Sequence, residues 1–485
     1  MKTSTLSHKR DLTNQLADFW IPHLIACEDL FTHLEYVDVS IKELRREALK
    51  RELQLFDAML AKEVPKGWVF KEYRQRTIIT LSGEITYLRR IYKEPSGICH
   101  AYLDEVLGIR TRYKLAPDAY LWIANMAADI SFRKTVNAFY DRTGAKISPW
   151  LVMSVIHEEG ALILEEAWQK AFGSLQAHKS DELLISQDVL YIEFDGICIP
   201  LQKSKHEKKK PRWVYEHNRK KKHFELKNAT VYAGKDEKRR RGGVLNVSFG
   251  EHARCFWPLL GSAIKSVYDV ADVSKVYSSS DMAGWCTNNE IDTLFAAADI
   301  SHDIDSFHIN REIRRTFGKT PAANHFISLV RSRRTKKLKR DLQRIIEDAT
   351  DKKRYLKLQG YLLSNIKLIE GGHGRSMGSM EGVNAHVYAA RMKVWGGAWS
   401  KKGACAMAAI RARKSSGLSL IAPKPDNVMY DDTRLRRRFE HECAQVEQKR
   451  WNVPESEGTG WEPPQGSIML TTHMPSNLYG WLNYS

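Results

Sequence analysis

The chain has 485 residues, with 76 Lys and Arg against 58 Asp and Glu, a net charge of +18 and a pI near 9.4. That balance favours a polyanionic partner, nucleic acid before an acidic membrane surface, although solvated charge alone is the bland alternative. Seven scattered cysteines, odd in number and with no CxxC pair, argue against a disulfide framework or a zinc ribbon and fit a reducing cytosol.

The first ten residues lack a signal-type apolar core, and no apolar run is long enough to span a membrane, so a cytoplasmic protein is expected. Residues 11 to 62 read as helix, with Leu30, Leu34, Val37 and Ile41 in helical period. Gly67 to Tyr92 alternates like a hairpin turning near Gly83. Residues 116 to 165 read as three short helices, opened by Pro117 and later by Ser148-Pro149-Trp150; a helix-turn-helix or any small bundle fits that pattern.

From Asp188 the texture becomes β. Asp188 to Asp195, His223 to Ala233 and Val244 to Phe249 read as three strands able to form an antiparallel meander. A helix over Phe256 to Val270 follows, then a strand from Lys275 to Asp281 and a short fifth at 297 to 304. This is the signature of a mixed α/β sheet. Residues 310 to 370 are helical and basic, and Glu381 to Val394 forms a helix after a Gly-rich loop. That loop lacks the Lys-Ser/Thr of a P-loop and reads as plain backbone. Past Ile421, prolines break any long element, with room for a short charged helix near 432 to 450.

Asp195 and Asp281 each end a strand, and in such a sheet the two tips can lie side by side. Two adjacent carboxylates repel unless a proton or cation intervenes, and Mg²⁺ binds such oxygens directly. Glu381 begins a helix whose i+4 and i+8 neighbours, Ala385 and Ala389, would let it pack closely on the sheet. Three acids suffice for two ions about 4 Å apart, stabilising both oxygens of an in-line displacement at phosphorus. Each acid also has a modest local reading, as a turn residue or a helix-dipole partner.

The same stretches carry a family resemblance. Glu193-Phe194-Asp195-Gly196, Ser280-Asp281-Met282-Ala283-Gly284-Trp285, Asp305-Ser306-Phe307-His308 and Met380-Glu381-Gly382-Val383 through Trp399-Ser400-Lys401-Lys402-Gly403 resemble bacterial insertion-sequence transposases of the ISL-re type. Tyr87 to Tyr92 and Leu103 to Gly108 match as well. These enzymes are distantly similar to Mutator-like transposases, and the resemblance spans roughly residues 20 to 415. Met282 stands where Gly is expected.

The resemblance implies a DDE-type transposase with an RNase-H-like core, in which Asp195, Asp281 and Glu381 are catalytic and hold two Mg²⁺, with Mn²⁺ as a substitute. It implies a homo-oligomer acting on terminal inverted repeats and target DNA in the bacterial nucleoid. Asp305 competes with Asp281 for the second position; with Asp281 preferred, Asp305 and His308 become supporting or DNA-positioning residues, and a structural histidine is the alternative reading of His308. The implied segments are 1–115 (helix and hairpin), 116–180 (DNA-binding helices), 185–309 (core, first part), 310–375 (basic helical insertion), 376–420 (core, last helix) and 421–485 (tail).

Lys208, Lys209, Lys210, Arg212, Trp213, Arg239 and Arg240 lie beside the first strands, where phosphates would approach. Arg333, Arg334, Lys336 and Lys337 form a second backbone-contact candidate. Both runs read equally as solvated charge. The Cys99-His100 pair has no partner pair for zinc. The rival functions are a nuclease on the same fold that cuts without joining, and a non-catalytic DNA-binding protein.

Overall fold

The computed structural model describes residues 2–111, 113–172, 184–202, 223–234, 242–250, 253–281, 285, 288–372, 377–394 and 397–423. The candidates Lys208, Lys209, Lys210, Arg212, Trp213, Arg239 and Arg240 lie outside the described residues, as does the tail beyond residue 423. Contacts divide the chain into two units, one mainly residues 1–127 and 131–152, the other mainly residues 153–421. Among the described residues, no helix is long and apolar enough to cross a membrane.

In the first unit, α1 (Lys2–Ala26) and α2 (Leu30–Leu60) replace the single helix expected from 11 to 62. The break arises because Asp29 is extended and its carboxylate accepts the Thr32 N–H at 2.7 Å, starting a new helix. β1 (Val69–Thr80) and β2 (Gly83–Lys93) form the expected antiparallel hairpin, with β3 (Cys99–His100) on the β2 edge and α3 (Tyr102–Leu107) after it. Leu53 and Leu60 of α2 bury against Ile78, Ile85, Tyr87 and Leu103. The expected helical region holds α4 (Pro117–Asp129), α5 (Phe132–Thr143) and α6 (Pro149–Phe172), of which α6 from Met153 onward belongs to the second unit. The last is one helix of 24 residues rather than a short segment.

The second unit is built on a mixed five-stranded sheet. β4 (Ile185–Ser186) precedes β5 (Val189–Pro200), β6 (His223–Tyr232) and β7 (Leu245–Phe249), an antiparallel meander. α7 (Ala253–Lys265) leads to β8 (Tyr268–Asp269), which pairs with β4, and then to β9 (Lys275–Ser280). The expected helix to Val270 thus stops five residues early, giving way to that short parallel bridge. α8 (Asn288–Leu294) precedes β10 (Asp299–Ile304), and the spatial order is β7-β6-β5-β9-β10, with β9 and β10 parallel to β5. Along β5, Leu190, Ile192 and Phe194 join the buried core with Val231, Phe256, Leu260 and Val276, while Glu193 and Asp195 alternate to the opposite face.

After β10 comes a helical cluster: α9 (Ser306–Phe317), α10 (Pro321–Arg331), α11 (Thr335–Asp348), α12 (Lys353–Ser364) and α13 (Ile366–Gly371). It has its own core of Ile313, Phe326, Leu338, Leu342, Leu358 and Leu362. α14 (Ser379–Val383) continues through a widened π-type segment, Asn384–Ala389, to Met392. The small-residue face expected of this helix is not the one that packs: Ala385 is exposed, and Met380, Val383, Asn384 and Tyr388 are buried.

Ser400 caps α15 (Lys401–Ser415), whose residues Gly403 through Ile410 are all buried. Gly160 of α6 approaches Ala406 so closely that a β-carbon there would overlap the Ala406 backbone.

Candidate active site

Register brings the acids together. The parallel ladder pairs Glu193 with Ser279 and Ile304 with Ser280. Two residues further on, Asp195 stands beside Asp281, and one residue further, Asp305 stands on its other side. The Asp305 N–H still donates to Ser280 O at 2.8 Å, which holds that third tip in line. Asp195 does not end its strand as expected. β5 runs on to Pro200 because β6 keeps pairing with it; only the parallel partner ends there.

Two groups result. The ligand atoms of Asp195, Asp281 and His308 lie within 4.8 Å of one another, as do those of Asp305, His308 and Glu381. Of the expected trio, Asp195 and Asp281 thus share one group and Glu381 falls in the other, the two being joined through His308, while Asp305 faces Glu381. His308 Nδ1 is 2.7 Å from Asp305 Oδ2, and its Nε2 is 3.7 Å from Asp195 Oδ1. Asp305 also caps α9, accepting the Phe307 N–H at 2.9 Å, so the modest reading of an acid as a helix-start residue holds for it too.

Glu193 was missed as a site residue, although it stands in the Glu193-Phe194-Asp195-Gly196 stretch. It is 3% exposed, and its Oε2 accepts the N–H groups of Gly378, Ser379 and Met380 at 2.9, 2.7 and 3.0 Å. Its Oε1 accepts the Tyr232 hydroxyl at 2.6 Å. A buried carboxylate on three backbone donors binds the start of α14 to β5 and so fixes Glu381 over the sheet.

Asn384 is a second missed residue. Ser248 Oγ donates to Asn228 Oδ1 at 2.6 Å, Asn228 Nδ2 to Asn384 Oδ1 at 2.9 Å, and Asn384 Nδ2 to Asp195 Oδ2 at 2.7 Å. This buried chain fixes the Asp195 carboxylate. A β-carbon at Gly196 would meet the carboxylate end of the exposed Glu225 side chain, which would have to swing aside.

Protonation follows from burial and like charge. Burial, reinforced by Asp281 and only partly offset by His308 and its hydrogen bonds, pushes Asp195 up to about 6. Burial and the facing Asp305 carboxyl push Glu381 up to about 7. Burial alone would raise Asp305, but hydrogen bonds from His308, Glu381 and the Phe307 N–H hold it below the usual range. Burial opposes charge on His308, yet Asp305 and Asp195 outweigh it and raise its pKa. Glu381 Oε1 is buried without a hydrogen-bond partner. A pocket of hard oxygen donors with one buried acceptor unfilled suits a hard divalent cation.

A cavity of about 350 Å³ opens beside this cluster. Asp281 and His308 form one side, while Arg311, Arg315, Arg354 and Lys357 of α9 and α12 supply cations to the lining. Tyr361 also lines it; burial and the carboxylates of Asp281, Glu312 and Asp305 push its hydroxyl up to about 12. The basic run singled out from sequence sits elsewhere. Arg333, Arg334, Lys336 and Lys337 are exposed around the start of α11, whose inward positions are Thr335, Leu338, Leu342 and Ile346.

A sequence model of the Uncharacterised protein family (UPF0236) matches residues 30–424. A UPF0236 protein of Streptococcus gallolyticus, described as lying in the vanSb 3′ region, is 23% identical over 391 residues, covering 78% of this chain and 81% of its own. A UPF0236 protein of Caldanaerobacter subterraneus subsp. tengcongensis is 23% identical over 389 residues, covering 77% of this chain and 75% of its own. A second from that strain is likewise 23% identical over 389 residues, covering 77% and 75%. With a match running from the start of α2 past the end of α15, the chain belongs to UPF0236, an uncharacterised protein family.

Proposed function

We propose that this protein is a metal-dependent DNA strand-cleaving and strand-joining enzyme, a transposase of the DDE type on an RNase-H-like core. The observation that carries the proposal is the pair of groups Asp195–Asp281–His308 and Asp305–His308–Glu381, which share His308 beside a cation-lined cavity. Supporting the fold assignment is the strand order, a three-strand antiparallel meander followed by two strands parallel to its first. One relative's name carries eleven locus labels from a single strain, and multiple copies of a coding sequence are what a mobile element leaves behind.

Asp195, Asp281, Asp305 and Glu381 would hold Mg²⁺ or Mn²⁺, which when bound supplies charge to the attacking and leaving oxygens of a phosphodiester. The chain's own residues do the rest. Asn384 and Gly196 fix the Asp195 carboxylate, and Glu193 fixes the helix that delivers Glu381. Arg311, Arg315, Arg354 and Lys357 bind and orient the DNA backbone leading into the acids. His308 carries a proton between Asp305 and Asp195 while the acids are unmetallated and yields it when they fill. A freed 3′-hydroxyl occupying the same place attacks target DNA, so no covalent enzyme intermediate is needed. Bridging two element ends calls for more than one copy of the chain.

Purified protein, labelled element ends and a target plasmid with Mg²⁺ test this reading. Joined products are expected, and they should vanish in a variant carrying Asp195→Ala, Asp281→Ala and Glu381→Ala. Cleavage without joining would leave a nuclease, and DNA binding unaffected by the triple change, with no cleavage by either protein, would leave a non-catalytic binder.

A further inference from the structure

The break between α1 and α2 gathers three side chains that the acidic site does not use. His23 sits in the last turn of α1, Cys27 in the break and His33 in the first turn of α2. Their ligand atoms all lie within 4.8 Å of one another. The two imidazoles face each other through Nδ1 at 3.3 Å, and His33 is buried. His23 is held in orientation by stacking on Tyr36, with centroids 3.8 Å apart and planes 4° from parallel.

We infer that His23, Cys27 and His33 form a zinc-binding site that joins the two N-terminal helices. Two nitrogens each about 2.0–2.1 Å from a tetrahedral Zn²⁺ must themselves lie about 3.3–3.4 Å apart, which is the spacing observed. Two imidazoles and a thiolate are a borderline-to-soft donor set, one that selects zinc over the hard magnesium suited to the carboxylate cluster. A fourth tetrahedral position is left for water. Two neutral imidazoles alone can share one hydrogen between their Nδ1 atoms, but that bond makes no use of the thiol. In the structure the thiol donates to Leu24 O at 3.2 Å. Zinc uses all three donors and ties the end of α1 to the start of α2.

The test uses the full chain, stripped with chelator and returned to excess Mg²⁺ so that the acidic site is filled with magnesium. Titration with Co²⁺, a spectroscopic stand-in for Zn²⁺, should give a tetrahedral ligand-field spectrum with a thiolate-to-cobalt charge-transfer band at one equivalent, and Zn²⁺ should displace it. The band should disappear in Cys27→Ser, and cobalt affinity should fall at least tenfold in His33→Asn, with circular dichroism matching the wild type in both. Absence of the band in the wild-type chain overturns the inference without relying on any variant. Persistence of the band in Cys27→Ser also overturns it, leaving a plain imidazole–imidazole hydrogen bond.

Discussion

Lowering the pH from 8 to 6 should weaken Mg²⁺ binding about twentyfold, because the ligands must shed protons that burial makes them hold. Glu381 titrates near 7 and Asp195 near 6, each above its unfolded value. At pH 8 both are almost fully ionised; at pH 6 about one Glu381 in ten and half of Asp195 are ionised, and the product of those fractions sets the loss. Asp305, held low, stays ionised throughout and contributes nothing to the change. His308, raised by its carboxylate neighbours, deepens the loss, since its protonated form adds positive charge beside the ions. Calorimetric titration in two buffers of different ionisation enthalpy reads the same event directly. Near pH 6.5 the two carboxyls should release about one proton on binding, against about a tenth of one at pH 8. Equal affinity at pH 6 and 8, with no buffer-dependent heat, would refute the argument. Glu381→Gln should reduce the carboxyl contribution over that range to about twofold, the share of Asp195 alone.

Three other outcomes follow from the same geometry. Glu193→Ala removes the acceptor of three backbone N–H groups and the Tyr232 hydroxyl, so it should cost on the order of 3 kcal/mol in thermal denaturation and abolish joining even though Glu193 holds no ion. Arg311→Ala with Arg354→Ala should leave Mg²⁺ binding unchanged and lower the slope of log affinity for DNA against log salt by about two; an unchanged slope would remove the cavity from the DNA path. Gly160→Ala should destabilise by about 2 kcal/mol through overlap with Ala406, measured by melting temperature, with the metal titration of the folded fraction unaltered.

The core strands were legible because each carries either strict alternation or an apolar run bounded by turns, and because a meander followed by a returning strand has few arrangements. Asp281 was legible as a strand-tip acid and Asp305 as its rival, while Asp195, read as a strand end, sits within a strand that runs on to Pro200. The place of Asp305 opposite Glu381 depends on the β9–β10 register, which no local pattern specifies. Glu193 and Asn384 escaped notice because each acts across more than 150 positions of sequence, on backbone or side-chain groups that only the folded chain brings near. Dense basic runs such as Arg333 to Lys337 stand out in the sequence. What lines the cavity is four cations at i,i+4 and i,i+3 spacing on two helices, sparse in sequence but sharing a face. His23, Cys27 and His33 were hidden by the assumption of one continuous helix, which would carry Cys27 and His33 far apart along its axis.

The parity of the strands constrains how this protein can change in length. Inserting one residue ahead of Asp195, Asp281 or Asp305 within its strand would swing that carboxylate through the sheet to the apolar side, and inserting two would restore the side but slide it about 7 Å out of reach. Between His308 and Gly378 no strand parity operates, since the register with β9 secures one end and Glu193 clasps the other. A whole bundle of helices with a private interior occupies that interval. Variation in size among relatives should accumulate in this interval, while the spans from Val189 to Asp195 and from Lys275 to Asp281 keep their length to the residue.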